Sequence, residues 1–140
     1  MSPQLSISRD MFRAIIAHLQ PELPKEACGI LAGRKDSLAP TRFFPAYNEA
    51  QSENFYVVAP ADLFRITHAI EEAGEVVWGI VHSHPATEAY PSAADIQLAY
   101  YPDSYYIIVS FLDPVRPDLR AFTIRNGYVN EVPVSIAVDH

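Results

Sequence analysis

Residues 76–95, VVWGIVHSHPATEAYPSAAD, change character twice, and that double change decides the fold. The first seven, Val76 to His82, form an apolar run rich in valine and isoleucine, the mark of a buried strand. A polar loop with prolines at 85 and 91 takes over at Ser83. Ser92 then opens a helix that the pattern carries to about Tyr100, with Ser92 and Asp95 at the S-x-x-D spacing of a capping box. Strand, loop and helix in immediate succession make an α/β unit.

Working outward, the segment before that strand has a helical pattern. Pro60 and Asp62 open it, Leu63, Ile66 and Ile70 line one side with Phe64 beside them, and Gly74 closes it. Residues 41–47 and 54–58 read as two strands separated by the polar turn 48–53. Further back, residues 27–33 (ACGILAG) read as a buried strand rich in small side chains, preceded by the breakers Pro21 and Pro24. A short strand over 5–7 leads to Ser8, which can cap a helix whose apolar residues are Phe12, Ile15, Ile16 and Leu19. Downstream, residues 105–111, 119–125 and 128–134 read as strands, the last two joined by an Asn126-Gly127 turn. Strands mixed with three helices predict an α/β or α+β fold, a single domain over residues 1–140 with helices packed on a sheet.

The composition leaves an enzyme or an interaction module and excludes other classes. Of 140 residues, 49% are hydrophobic and 19% charged, with seven Phe and eight Tyr, which is ample for a packed core and too apolar for a disordered chain. Seventeen acidic against ten basic residues give a net charge of −7, and no basic run exceeds Arg34-Lys35. The electrostatic footprint for nucleic acid or for an anionic membrane surface is therefore missing. No apolar run approaches the ~20 residues of a bilayer-crossing helix. Arg9 and Asp10 interrupt the amino-terminal segment, so no secretory signal is expected. A single cysteine, Cys28, excludes an internal disulfide framework and fits a reducing, cytoplasmic setting.

The chemistry concentrates where the central strand ends. Histidines at i and i+2 of an extended segment, His82 and His84, point to one side of the strand and can share a divalent metal. Asp95, in the first turn of the following helix, can bring a carboxylate back to the same spot. Two His and one Asp leave a fourth tetrahedral position open, as a catalytic rather than structural metal site requires. Glu26, at the entrance to the 27–33 strand, is the candidate general acid/base, and Ser92 supplies a hydroxyl able to donate to a developing oxyanion. Ser92 and Asp95 also satisfy the capping-box reading, which is compatible with the catalytic one because the cap would fix both side chains. Taken whole, H-x-H-x7-S-x2-D would turn up in roughly one shuffled sequence in a thousand. Cys28 reads as a small buried thiol, His18, His68 and His140 as histidines without a catalytic part, and Glu22 as a rival base set among the breakers Pro21 and Pro24 that precede the strand.

These residues resemble the signature of the JAMM (MPN+) zinc metalloprotease family: a Glu in the context K-E-A-C-G-I-L, then H-S-H-P, and Ser and Asp at the spacing of Ser92 and Asp95. The resemblance extends over nearly the whole chain. It implies a cytidine-deaminase-like JAB/MPN architecture, a mixed β-sheet flanked by helices on both sides, and one zinc ion per chain. The compact length resembles bacterial stand-alone members. The run from Ala86 to Ser92 is very similar to the actinobacterial Mec-type subgroup, from which Pro85 departs where threonine is usual. That subgroup hydrolyses the bond between the C-terminal glycine of a ubiquitin-like (β-grasp) sulfur-carrier protein and a newly built cysteine, so the resemblance implies such a carrier as substrate and a part in cysteine biosynthesis. Related members implied as alternatives are isopeptidases that remove ubiquitin-like proteins from lysines or process their precursors. From another class comes an inactive MPN scaffold, which characteristically lacks some of the ligands that stand complete here. A zinc nucleoside deaminase needs H-x-E with P-C-x-x-C, which one cysteine cannot provide. The helical H-E-x-x-H of other zinc proteases is absent.

Overall fold

The computed structural model describes residues 4–137. Its elements are β1 (Leu5–Ile7), α1 (Arg9–Leu19), a 3₁₀ turn (Gln20–Glu22), β2 (Cys28–Gly33), β3 (Arg42–Ala46), α2 (Pro60–Glu72), β4 (Val76–His84), α3 (Ala93–Gln97), β5 (Tyr105–Ser110), β6 (Asp118–Arg125), β7 (Tyr128–Val132) and β8 (Val134–Ile136). Six strands form one sheet in the order β3-β2-β4-β5-β6-β7, while β1 and β8 make a separate parallel pair. Within the large sheet only β4 and β5 run parallel. A parallel pair needs a crossover, and the loop and α3 that follow β4 supply it. The stretch 76–95 is therefore the element that makes the sheet mixed.

Helices cover both sides. On one side Ile15 and Leu19 of α1, with Leu5 of β1, pack on Leu31, Val81, Ile107, Val109 and Ala121. On the other, Ile66 and Ile70 of α2 pack on Ile30, Ile80, Ile108 and Phe122, with Ile96 of α3 at the margin. The amphipathic spacing read in both helices has this cause: each buries one apolar stripe on the sheet. Ser8 caps α1 by accepting a hydrogen bond from the Met11 N–H at 3.1 Å. The Asn126-Gly127 turn holds both residues at positive φ, +50° and +80°, as a two-residue hairpin of primed type needs.

Four expected boundaries differ. Residues 54–58 are not a strand, since only Val58 forms an isolated bridge, to Asn48. The buried Asn48 side chain takes the hydrogen bonds a partner strand would have made: its Oδ1 accepts from the N–H groups of Ala50 and Val57, and its Nδ2 donates to the Phe55 carbonyl. β4 does not stop at His82 but runs to His84, because β5 offers partners as far as the pair His84–Ser110. α3 ends at Gln97 rather than near Tyr100, and Leu98, Tyr100 and Tyr101 turn to line an apolar cleft. The last strand breaks at Pro133, which has no N–H for a ladder; Val134–Ile136 joins β1 instead.

Candidate active site

The extension of β4 sets the site. Along this strand Ile80, His82 and His84 share the side of the sheet that faces α2 and α3, with Ile80 in the core and the two imidazoles beyond it. Both are buried, His82 completely. The capping box at the start of α3 then delivers Asp95: Ser92 Oγ accepts from the Asp95 N–H at 3.1 Å, and Asp95 Oδ2 accepts from the Ser92 N–H at 2.9 Å. That same Oδ2 lies 3.1 Å from His82 Nε2 and 2.9 Å from His84 Nε2, and the two nitrogens are 3.2 Å apart. Three atoms able to ligate a metal thus surround one point. Ligands at 2.0–2.1 Å around a tetrahedral zinc stand about 3.3 Å from one another, so this triangle fits such an ion after opening by a few tenths of an ångström.

The tautomers suit a cation. His84 Nδ1 lies 2.8 Å from the Glu88 carbonyl, which can only accept, so Nδ1 carries a proton and Nε2, which faces Asp95, is the nitrogen a cation would take. Burial pushes the His82 pKa down and keeps that ring neutral. For His84 burial works downward too, but the hydrogen bonds to Asp95 and the Glu88 carbonyl outweigh it and raise the pKa. Burial alone would raise Asp95; hydrogen bonds from both histidines overcome it and hold the carboxyl well below the usual carboxylate range. The acid is ionised and ready to bind.

Glu26 is the second buried carboxyl, 4% exposed, on the residue before Ala27 and Cys28. Burial first, then the charge of Asp95, lifts its pKa from 4.5 to about 8, while His84 pulls the other way. Its Oε1 is buried with no hydrogen-bond partner. The backbone around it is clamped: the Glu26 N–H donates to the Ser52 carbonyl at 2.8 Å, and Asn48 Nδ2 donates to the Glu26 carbonyl at 2.9 Å. Glu26 thus offers one unsatisfied carboxyl oxygen, with a proton affinity matched to neutral pH.

The other residues singled out by sequence fall elsewhere. Cys28 is paired with His82 across the β2–β4 ladder, but burial raises its thiol to about 12, so it stays protonated and belongs to the core. His18 Nε2 faces the carbonyls of Cys28 and Ala46 at 2.8 and 3.2 Å, His68 sits exposed against Glu72, and His140 lies outside the described residues. Glu22 lines a cleft of about 200 Å³ with His18 and Glu26 and has no part in the triangle. Three neighbours of the site were not foreseen. Ser83 turns its hydroxyl away from the histidines to accept from the buried Ala27 N–H at 2.9 Å, tying the Glu26 segment to β4. Strand alternation inside H-S-H contains that signal. Asn48 and Tyr56, the latter stacked on His82 with ring centroids 4.4 Å apart, left no sequence signal of their own.

Comparisons with known proteins give the chain its relatives. Residues 8–125 match the family described as prokaryotic homologs of the JAB domain. Over 132 residues the chain is 43% identical to the CysO-cysteine peptidase of Mycobacterium tuberculosis, covering 94% of this chain and 90% of that protein. It is 35% identical over 114 residues to the desampylase of Haloferax volcanii, covering 78% and 82%. Among solved structures, a protein from Desulfitobacterium hafniense superposes with a TM-score of 0.85 at 32% identity, covering 96% of this chain and 94% of that one.

Proposed function

The chain belongs to the prokaryotic JAB family, and from that premise we propose that it is a zinc-dependent peptidase cutting after the C-terminal glycine of a ubiquitin-like sulfur-carrier protein, with cysteine as the leaving group. The observation that carries the reading is the convergence of His82, His84 and Asp95 on one point, with the buried carboxyl of Glu26 coupled electrostatically to Asp95 and His84 and carrying an unpartnered oxygen. The nature of the substrate rests on the likeness to the mycobacterial CysO-cysteine peptidase. No helix among the described residues is long and apolar enough to cross a membrane. The buried, unpaired Cys28 suits a reducing compartment, in keeping with a cytoplasmic enzyme of cysteine biosynthesis.

In this reading His82, His84 and Asp95 hold one zinc ion. When bound, zinc supplies a Lewis acid that polarises the scissile carbonyl and acidifies water. Glu26 accepts the proton of the attacking water at its carboxylate and returns it to the departing amine. A proton affinity near neutrality lets one group do both. Ser92 has spent a lone pair on the Asp95 N–H but keeps its own proton, which it donates to the oxygen where negative charge develops. An extended tail reaches the centre by lying along a sheet edge.

The test offers the zinc-loaded protein two substrates built on one carrier, a C-terminal cysteine adduct and a lysine isopeptide conjugate, with products read by mass spectrometry. Preferred cleavage of the cysteine adduct is expected. Preference for the isopeptide would overturn the substrate assignment and leave the hydrolytic chemistry standing. Failure to cut either one, by a protein shown to hold zinc, would make it a scaffold.

A further inference from the structure

The two imidazoles of the centre are held in different ways. His84 is fixed by a hydrogen bond from its outer nitrogen to the Glu88 carbonyl, the usual means of orienting a ligating histidine. His82 has no such bond: its Nδ1 is buried and unpartnered. What meets this ring instead is Tyr56, stacked on it with centroids 4.4 Å apart and planes inclined by 22°. Tyr56 is itself held by a clamped loop. Asn48 Oδ1 accepts from the Val57 N–H at 2.9 Å, Asn48 Nδ2 donates to the Phe55 carbonyl, and the Glu49 N–H donates to the Val57 carbonyl at 2.8 Å. The residues on both sides of Tyr56 are therefore pinned to Asn48 and Glu49, and Asn48 also holds the Glu26 carbonyl.

We infer that Tyr56 is a positioning residue of the metal centre, its aromatic face standing in for the missing outer hydrogen bond and keeping the His82 ring aimed at the shared point. The ring rather than the hydroxyl does this, since the contact is between faces. A flat partner limits tilting of the imidazole while leaving the ring nitrogens free. Asn48, holding both Glu26 and the Tyr56 loop, couples the distance between acid/base and ligand to one buried amide.

The inference rests on His82 being a ligand, and its test separates the two claims. Zinc affinity by chelator competition and the visible absorption of the cobalt(II) form are measured on wild type, Tyr56→Phe, Tyr56→Leu and Leu63→Ala. Leu63 lines the apolar cleft that Tyr56 also walls and has no group able to ligate a metal, so it reports loss of packing. Tyr56→Phe is expected to bind zinc within about 2-fold of wild type. Tyr56→Leu is expected to bind about 10–100-fold more weakly, the range for loss of an outer partner of a ligand, with an altered cobalt spectrum. Leu63→Ala is expected to melt earlier with unchanged affinity. Wild-type affinity and spectrum in Tyr56→Leu, or equal weakening in Leu63→Ala, overturn the inference alone. A wild-type protein that binds neither ion overturns the metal reading and this inference with it. Should the leucine variant fail to fold, Tyr56→Met, which keeps the bulk without the flat face, is read by the same criteria.

Discussion

The two faces of the sheet are built by the same alternation and do different work. Under α1 the strands present Leu31, Val81, Ile107, Val109 and Ala121, an apolar layer that ends on β4 at Ser83, whose hydroxyl accepts from the Ala27 N–H. Under α2 the layer begins the same way, with Ile30, Ile80, Ile108 and Phe122, and then continues along β4 into His82 and His84. One face is held chiefly by apolar burial. The other gives up apolar burial at one end for groups that burial penalises, seen in the lowered pKa of His82 and the raised pKa of Glu26. A strand two residues longer than its apolar run is enough to turn a core face into a site.

The largest way to break this contrast is to remove a ligand. His82→Ala or Asp95→Ala should weaken zinc binding by more than the roughly 100-fold expected for an outer partner, measured by chelator competition, with the fold retained by circular dichroism. The next acts through pH on the metal-free protein. Glu26 titrates at 4.5 when unfolded and about 8 when folded. Below pH 4.5 both states are protonated and its contribution is whole; as pH rises toward 8 the unfolded chain releases the proton first, and stability falls by roughly 3–5 kcal/mol. Urea titrations in chelator from pH 5 to 8 should show that loss, and Glu26→Gln should remove it.

Substitutions aimed at the α1 side should behave in the opposite way. Ile107→Ala is expected to cost about 2–5 kcal/mol of stability by opening a cavity, while the folded fraction binds zinc as tightly as wild type. Ser83→Ala should cost less, about 1–3 kcal/mol, by stranding the buried Ala27 N–H. Its zinc affinity should stay within 10-fold of wild type, because the Ser83 hydroxyl binds the Glu26 segment and not the candidate ligand side chains. Loss of zinc binding in Ile107→Ala would show that the two faces are not separable.

Much of this was legible in the sequence because it rests on local rules. Period-two alternation puts His82 and His84 on one side, and the S-x-x-D capping box ties Asp95 to Ser92, so the three candidate ligands lie within fourteen consecutive residues. Glu26 is different: nothing in its spacing to His82 requires contact, and only the pairing of β2 with β4, Cys28 opposite His82, brings it near. Illegible from the chain were the features made by buried side chains replacing backbone partners. Residues 54–58 have the composition of a strand, yet Asn48 accepts and donates the bonds a neighbouring strand would have made, and that substitution delivers Tyr56 to His82. Residues 128–134 read as one strand, and nothing in that pattern shows the exchange of partners that lets Val134–Ile136 pair with β1, far away in sequence.

The most direct test of the account joins metal content to turnover in Glu26→Gln, which keeps the shape of residue 26 and removes its ability to carry a proton. Elemental analysis should find one zinc per chain in both wild type and variant, and a single-turnover assay on the carrier–cysteine adduct should find cleavage in the wild type alone. A zinc-bearing variant that cuts as fast as wild type would contradict the role given to this carboxyl.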